Sequence, residues 1–165
     1  MTTTPKTNTQ KPAKENAQQA AIQNRIVVDA TGLVFGRVAS LTAHKALRNT
    51  TVIILNAEKA VINGNTENLY ENYKTKLDLE AKGNPRKGPQ YSKMPDAMFR
   101  RAVRGMLPFT STRGQSAFRK VHIYIGVPRK YADLTRENWD QAKARYSKAH
   151  IQLGDFCKLL GAKWI

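Results

Sequence analysis

The chain has 165 residues, 41% of them hydrophobic, enough for one domain with a core of its own. Lys and Arg number 28 against 12 Asp and Glu, a formal net charge of +16, so an anionic partner is expected to neutralise it. A membrane is the weaker candidate, since no run approaches the roughly 20 apolar residues of a spanning helix and no apolar segment follows a basic start. The single cysteine, Cys157, excludes an internal disulfide and a multi-cysteine zinc site. It reads as a small buried hydrophobe in a cytosolic protein.

Residues 1–24 are Thr, Gln, Lys, Asn and Ala with almost no large apolar side chain, which predicts a disordered, mildly basic leader. Arg25 opens the domain. Ile26, Val27 and Val28 form a β-branched strand ending at Asp29, and Thr31-Gly32 turns the chain. A helix is predicted over 36–47, with Phe35, Ala39, Ala43, Ala46 and Leu47 as its apolar stripe and Arg37, Lys45 and Arg48 pointing elsewhere. Residues 51–55 (TVIIL) are the clearest strand, and 60–63 form a shorter one closed by Asn63-Gly64.

A polar helix is predicted over 66–79, with Leu69, Tyr73 and Leu77 on one face. Residues 81–94 hold Gly83, Pro85, Gly88 and Pro89 and read as an extended loop. Pro95 opens a helix whose stripe is Phe99, Val103, Met106 and Leu107, and Pro108 forces Leu107 out of helical geometry. Thr112 and Gln115 have capping-box spacing for a short helix to Arg119. Residues 121–125 are read as the last strand. A C-terminal extension, 132–165, is expected to pack on the 25–131 domain, with helices over 136–148 and 155–160. Strands alternating with helices predict an α/β fold with a small, about four-stranded, mainly parallel sheet covered on both faces.

Charge is concentrated in one stretch. Residues 82–120 hold Lys82, Arg86, Lys87, Lys93, Arg100, Arg101, Arg104, Arg113, Arg119 and Lys120 against one acid, Asp96. A merely solvated face mixes signs, and this stretch does not. Arg100 and Arg104 lie one helical turn apart and share a face away from Phe99 and Val103. Such a helix can lay several guanidinium forks along a phosphate backbone. In the preceding loop, glycines allow close backbone approach and Tyr91 offers a stacking plate. No zinc finger, basic zipper or recognition-helix hairpin is present, so folded RNA is favoured over DNA. Arg101 and Arg104 are expected to bind RNA without holding the fold together.

The catalytic alternatives are thin. Asp29, Asn56 and Asn63 end predicted strands, where α/β enzymes bind ligands, with Gly32 and Gly36 nearby. The Gly-x-x-x-Gly spacing matches neither the dinucleotide fingerprint nor the P-loop, and Asp and Asn end strands because they build turns. His44, His122 and His150 share no ligand spacing, and His122 alternates outward in its strand. Asp29 and His44 could pair, but no nucleophile motif accompanies them. Tyr70, Tyr73, Trp139 and Tyr146 read as packing residues. A nucleotide-dependent enzyme and a free regulatory RNA binder therefore remain as alternatives.

Val28-Asp29-Ala30 through Gly36-Arg37-Val38-Ala39-Ser40, VIILNAEKAVING at 52–64, and Arg101-Ala102-Val103-Arg104-Gly105-Met106-Leu107-Pro108 followed by Arg113-Gly114 resemble the universal large-subunit ribosomal protein L-thirteen family. The likeness runs in order over residues 27–131, and residues 153–162 resemble its archaeal branch. It implies a three-layer α/β/α domain, rRNA and neighbouring large-subunit proteins as partners, residence in the cytoplasmic ribosome, no cofactor, no metal and no catalysis. Arg101, Arg104, Gly105 and Arg113 match the family signature, and Arg37 matches its first motif. With the charge distribution they give a candidate rRNA-contact set that also includes Lys45, Arg48, Arg86, Lys87, Lys93, Arg100, Arg119, Lys120, Arg129 and Lys130. Phe109, Thr110 and Ser111 stand where many relatives carry basic or histidine residues, so no charged contact is expected there.

Overall fold

The computed structural model describes residues 24–79, 83–144 and 149–164. Three parallel strands form the central sheet in the order β1-β2-β4: β1 is Arg25–Asp29, β2 is Thr51–Leu55 and β4 is Val121–Ile123. Arg25 pairs with Thr51 and Asp29 with Leu55, while Val52 pairs with Val121 and Ile54 with Ile123. The period-2 alternation sends Val28, Val52, Ile54 and Val121 into the main core. Val27, Ile53 and Leu55 face the other way, onto Tyr131 and the half-buried Tyr124. Strands buried on both faces need apolar residues at every position, which is what IVV and VIIL supply.

Helix α1 (Phe35–Leu47) crosses from β1 to β2. It buries Val38, Ala39, Thr42, Ala43 and Ala46, leaving Phe35 and Leu47 at the margin of the core. Thr42 is tolerated at full burial because its hydroxyl donates to the Val38 carbonyl at 2.7 Å. Between β2 and β4 come β3 (Val61–Asn63), α2 (Thr66–Leu77), α3 (Pro95–Met106) and α4 (Thr112–Arg119). Helix α2 buries no residue fully, in keeping with its polar sequence, and Asn65 caps it by accepting from the Glu67 N–H. The basic loop is irregular around one 3-10 turn, Pro85–Lys87, while Ala81 and Lys82 lie outside the described residues.

The expected α/β class with a small, mainly parallel sheet is present, but strand pairing departs from the expectation in two places. The short strand β3 pairs antiparallel with a strand the sequence did not reveal, β5 (His150–Gln152), with Ile62 opposite Ile151. Over 136–144 the predicted helix is absent. Glu137 donates its N–H to the Val27 carbonyl at 2.8 Å, Val34 donates to Ala142 at 2.7 Å, and only a single 3-10 turn, Asp140–Ala142, is helical. Strand β1 is an edge of the sheet, and the extended segment supplies hydrogen-bond partners to that edge. That gain, with Trp139 and Ala142 buried in the core, outweighs local helix propensity. The rest of that predicted helix, 145–148 with Tyr146, and the leader over 1–23 lie outside the described residues.

Helix α5 (Leu153–Leu159) buries Leu153, Phe156 and Cys157, and the chain leaves it through Gly161 at φ +83°. Cys157 packs its sulfur 3.4 Å from that of Met98, and burial, assisted by the charge of Asp96, pushes its thiol up to about 12. It is an inert core residue.

Candidate nucleic-acid interface

Helix α3 is amphipathic. Pro95 occupies its first turn, where a missing N–H is harmless, and Asp96 there complements the helix dipole. Phe99, Val103 and Leu107 are buried. Leu107 reaches the core from an extended backbone (φ −101°, ψ 148°), the break that Pro108 imposes. Met106, expected on the stripe, is instead 45% exposed, because it is the last helical residue and the side chain after it fills the core position.

Arg100, Arg101 and Arg104 are exposed, and each lies over an aromatic ring. Arg100 sits 4.8 Å from the ring centre of Phe118, Arg101 4.1 Å from that of Tyr91, and Arg104 4.1 Å from that of Phe109. Among the described residues the ion pairs are Lys45–Glu137, Arg136–Asp29, Lys143–Asp140 and Lys158–Asp155, and none involves these arginines. Asp96, the one acid of residues 82–120, has one carboxylate oxygen buried, and its charge acts on Cys157. Three cations thus lie over aromatic rings and, among the described residues, have no acidic partner.

They line an open trough of about 760 Å³. Ala97 and Gly105 line it on the helix, the loop at Gln90 and Ser92 on one side, and Phe109 and Phe118 on the other. Arg101 donates to the Gln90 carbonyl at 2.7 Å, and the Tyr73 hydroxyl donates to the Ser92 carbonyl at 2.7 Å, so the loop wall is pinned twice. The opposite wall is built by α4. Ser111, not Thr112, caps that helix, its hydroxyl oxygen accepting from the Gly114 N–H at 3.2 Å. Gly114 must be glycine, since a Cβ there would lie 2.0 Å from the Pro108 carbonyl oxygen. The close approach sets Phe109 against Phe118, ring centres 5.5 Å apart and planes at 88°.

Chain segments 23–130 match the model of the family described as Ribosomal protein L13. This chain belongs to that family. The Methanosphaera stadtmanae large ribosomal subunit protein uL13 is 37% identical over 139 residues, covering 84% of this chain and 98% of that protein. The Natronomonas pharaonis protein of the same name is 40% identical over 138 residues, covering 83% and 91%. That of Haloarcula marismortui reaches 45% over 103 residues, covering 62% and 68%. Of the four residues that the resemblance singled out in this L13-family chain, Arg101, Arg104 and Gly105 line the trough, while Arg113 is exposed on α4 and is not part of its lining.

The remaining candidate residues are distributed more widely. Arg37, Arg48, Arg86, Lys87, Lys93, Arg113, Arg119 and Arg129 are exposed. Lys45 is held by Glu137 at 2.5 Å and lies over Trp139, and Lys120 donates to the Asn49 side chain, so both are partly engaged within the fold. Lys130 lies over Tyr131. Tyr91, read as an open stacking plate, has one face taken by Arg101 and an edge contact with Tyr73. Sequence reasoning did not find Phe109 and Phe118 as arginine platforms. It also missed the basic cluster around the exposed His122, whose pKa is lowered by partial burial and by the charges of Arg100, Arg25 and Lys130. The outward alternation of His122 in β4 was its only signal.

The strand-end alternative resolves differently. Asp29 accepts from the Thr31 hydroxyl at 2.6 Å, the Thr31 N–H, Asn56 Nδ2 and Arg136 at 2.6 Å. Burial raises its pKa, but the Thr31 and Asn56 hydrogen bonds and the Arg136 charge together bring it below the ordinary value. His44 is not among its partners. A carboxylate so fully occupied ties β1, the β2 exit and the 132–144 segment together. Among the described residues no cluster of three metal-ligating side chains occurs, and no helix is long and apolar enough to cross a membrane.

Proposed function

We propose that this chain is a structural, non-catalytic constituent of the large ribosomal subunit that binds and stabilises folded rRNA. The observation that carries the reading is the row of Arg100, Arg101 and Arg104, each over an aromatic ring, lining one trough and, among the described residues, unpaired with acids. Their guanidinium forks suit phosphate oxygens, and the exposed Arg86, Lys87, Lys93 and Arg113 on the adjoining loop and helix supply further countercharge. The names of the similar archaeal proteins support the same assignment. Residues 25–131 act as the rRNA-binding domain, with 132–165 as an extension packed on it, and neighbouring large-subunit proteins complete its surroundings. No cofactor enters this role.

Sedimentation tests it. In a lysate of cells making the tagged chain, the protein should travel with large ribosomal subunits and with whole ribosomes at low salt. A protein remaining wholly at the top of the gradient would instead favour a free RNA binder.

A further inference from the structure

We infer that the trough on α3 seats a single unpaired nucleotide of RNA, its base stacked against a guanidinium plane. This rests on the RNA-binding reading and adds to it a preference for a bulged or extruded base over a continuous duplex. The guanidinium carbon of each arginine lies 4.1–4.8 Å from an aromatic ring centre, yet each arginine remains exposed and lines the cavity. The uncovered face of a stacked guanidinium is a platform on which a base can lie, forming a ring–guanidinium–base pile. Phosphate binding alone would need no such platform.

The shape points the same way. The trough is about 760 Å³ and walled on two sides, within the size range of pockets that enclose a small ligand such as one base. Its walls are preformed, one by the Arg101–Gln90 and Tyr73–Ser92 hydrogen bonds and the other by the Phe109–Phe118 pair. A preformed site does not bear the cost of ordering itself on binding. Gly105 keeps the helix side shallow: a Cβ there would meet nothing within 4 Å, so the space beside it is open. Glycine inside a helix costs stability relative to other residues, and its backbone here is not in the left-handed region, so conformation alone does not call for it.

The test uses the full chain and two RNA hairpins of one sequence, one continuous and one with a single unpaired 2-aminopurine. The bulged hairpin should bind about ten-fold more tightly, and its fluorescence should fall as the base stacks. Gly105→Leu, which fills the trough, and Arg104→Lys, which keeps the charge but removes the plane, should each bring the affinity ratio toward one. Thermal melts confirm that each variant folds. Equal affinity for both hairpins with unchanged fluorescence would overturn the nucleotide site while leaving RNA binding intact. Failure to bind either hairpin would overturn the RNA-binding reading beneath it.

Discussion

Arg101 lies 4.1 Å over the ring of Tyr91 and at the same time donates a 2.7 Å hydrogen bond to the carbonyl of Gln90, the residue before that tyrosine. One side chain therefore both faces the trough and staples the loop that walls it. Arg104, one turn along the helix, has its ring contact with Phe109 and, among the described residues, no side-chain hydrogen bond or ion pair. The two arginines, both expected from the sequence to bind RNA without holding the fold together, differ in what their loss does to the fold.

Arg101→Ala should cost about 1–2 kcal/mol of stability, the sum of a cation–π contact and a hydrogen bond from a charged donor at a partly exposed site. Arg104→Ala should cost no more than about 0.5–1 kcal/mol. Each should weaken rRNA binding by about ten-fold or more. Urea unfolding and filter binding separate the effects. Equal stability losses for the two variants would mean that the Gln90 hydrogen bond contributes nothing.

The regular fold and the position of the charge were legible in sequence because both are local. TVIIL reads as a buried strand at 51–55, and Pro95 with Phe99 and Val103 defines α3 and its core face. Features that depend on distant partners were not legible. Phe118 lies 4.8 Å from Arg100, far earlier in the chain, a pairing that no local pattern announces. Residues 136–144 have a plausible helical pattern that the open edge of β1 overrides, and β5 has meaning only opposite β3.

Salt should dissociate the complex steeply. With about 6–10 phosphates neutralised, log affinity should fall with log salt at a slope of about −5 to −9. Titrations at several potassium chloride concentrations give the slope directly. A response near zero would contradict a cationic interface.

Gly114→Ala should be among the most damaging single-methyl additions. The new Cβ would overlap the Pro108 carbonyl oxygen, a backbone atom with little freedom to move. Overpacking of this kind costs about 1–3 kcal/mol, and here it also displaces Phe109 from under Arg104. Both melting temperature and RNA affinity should drop. A variant with normal stability would show that the α4 turn can relax.

Asp29 links stability to acid pH. Its folded pKa lies below the ordinary 3.8, so its contribution is complete above that value and disappears as pH falls through the lower, folded value. Asp29→Asn should lower stability at neutral pH and flatten the acid limb of the stability curve below pH 3.8. Parallel acid limbs in the two proteins would assign the dependence to other carboxylates.

His122 offers a linkage between pH and binding. Partial burial and the charges of Arg100, Arg25 and Lys130 keep its pKa below 6.5 in the free protein. A depressed histidine pKa means that protonation opposes folding, so the free protein loses stability as pH falls below 6.5 toward the folded value. A phosphate backbone laid across the same cations would neutralise them and favour the imidazolium. RNA binding should therefore take up a proton at His122 and strengthen as pH falls through this range, while His122→Gln should bind with little pH dependence. Isothermal titration in two buffers of different ionisation heat counts the proton. An uptake of zero below pH 6.5 would place the RNA backbone away from β4.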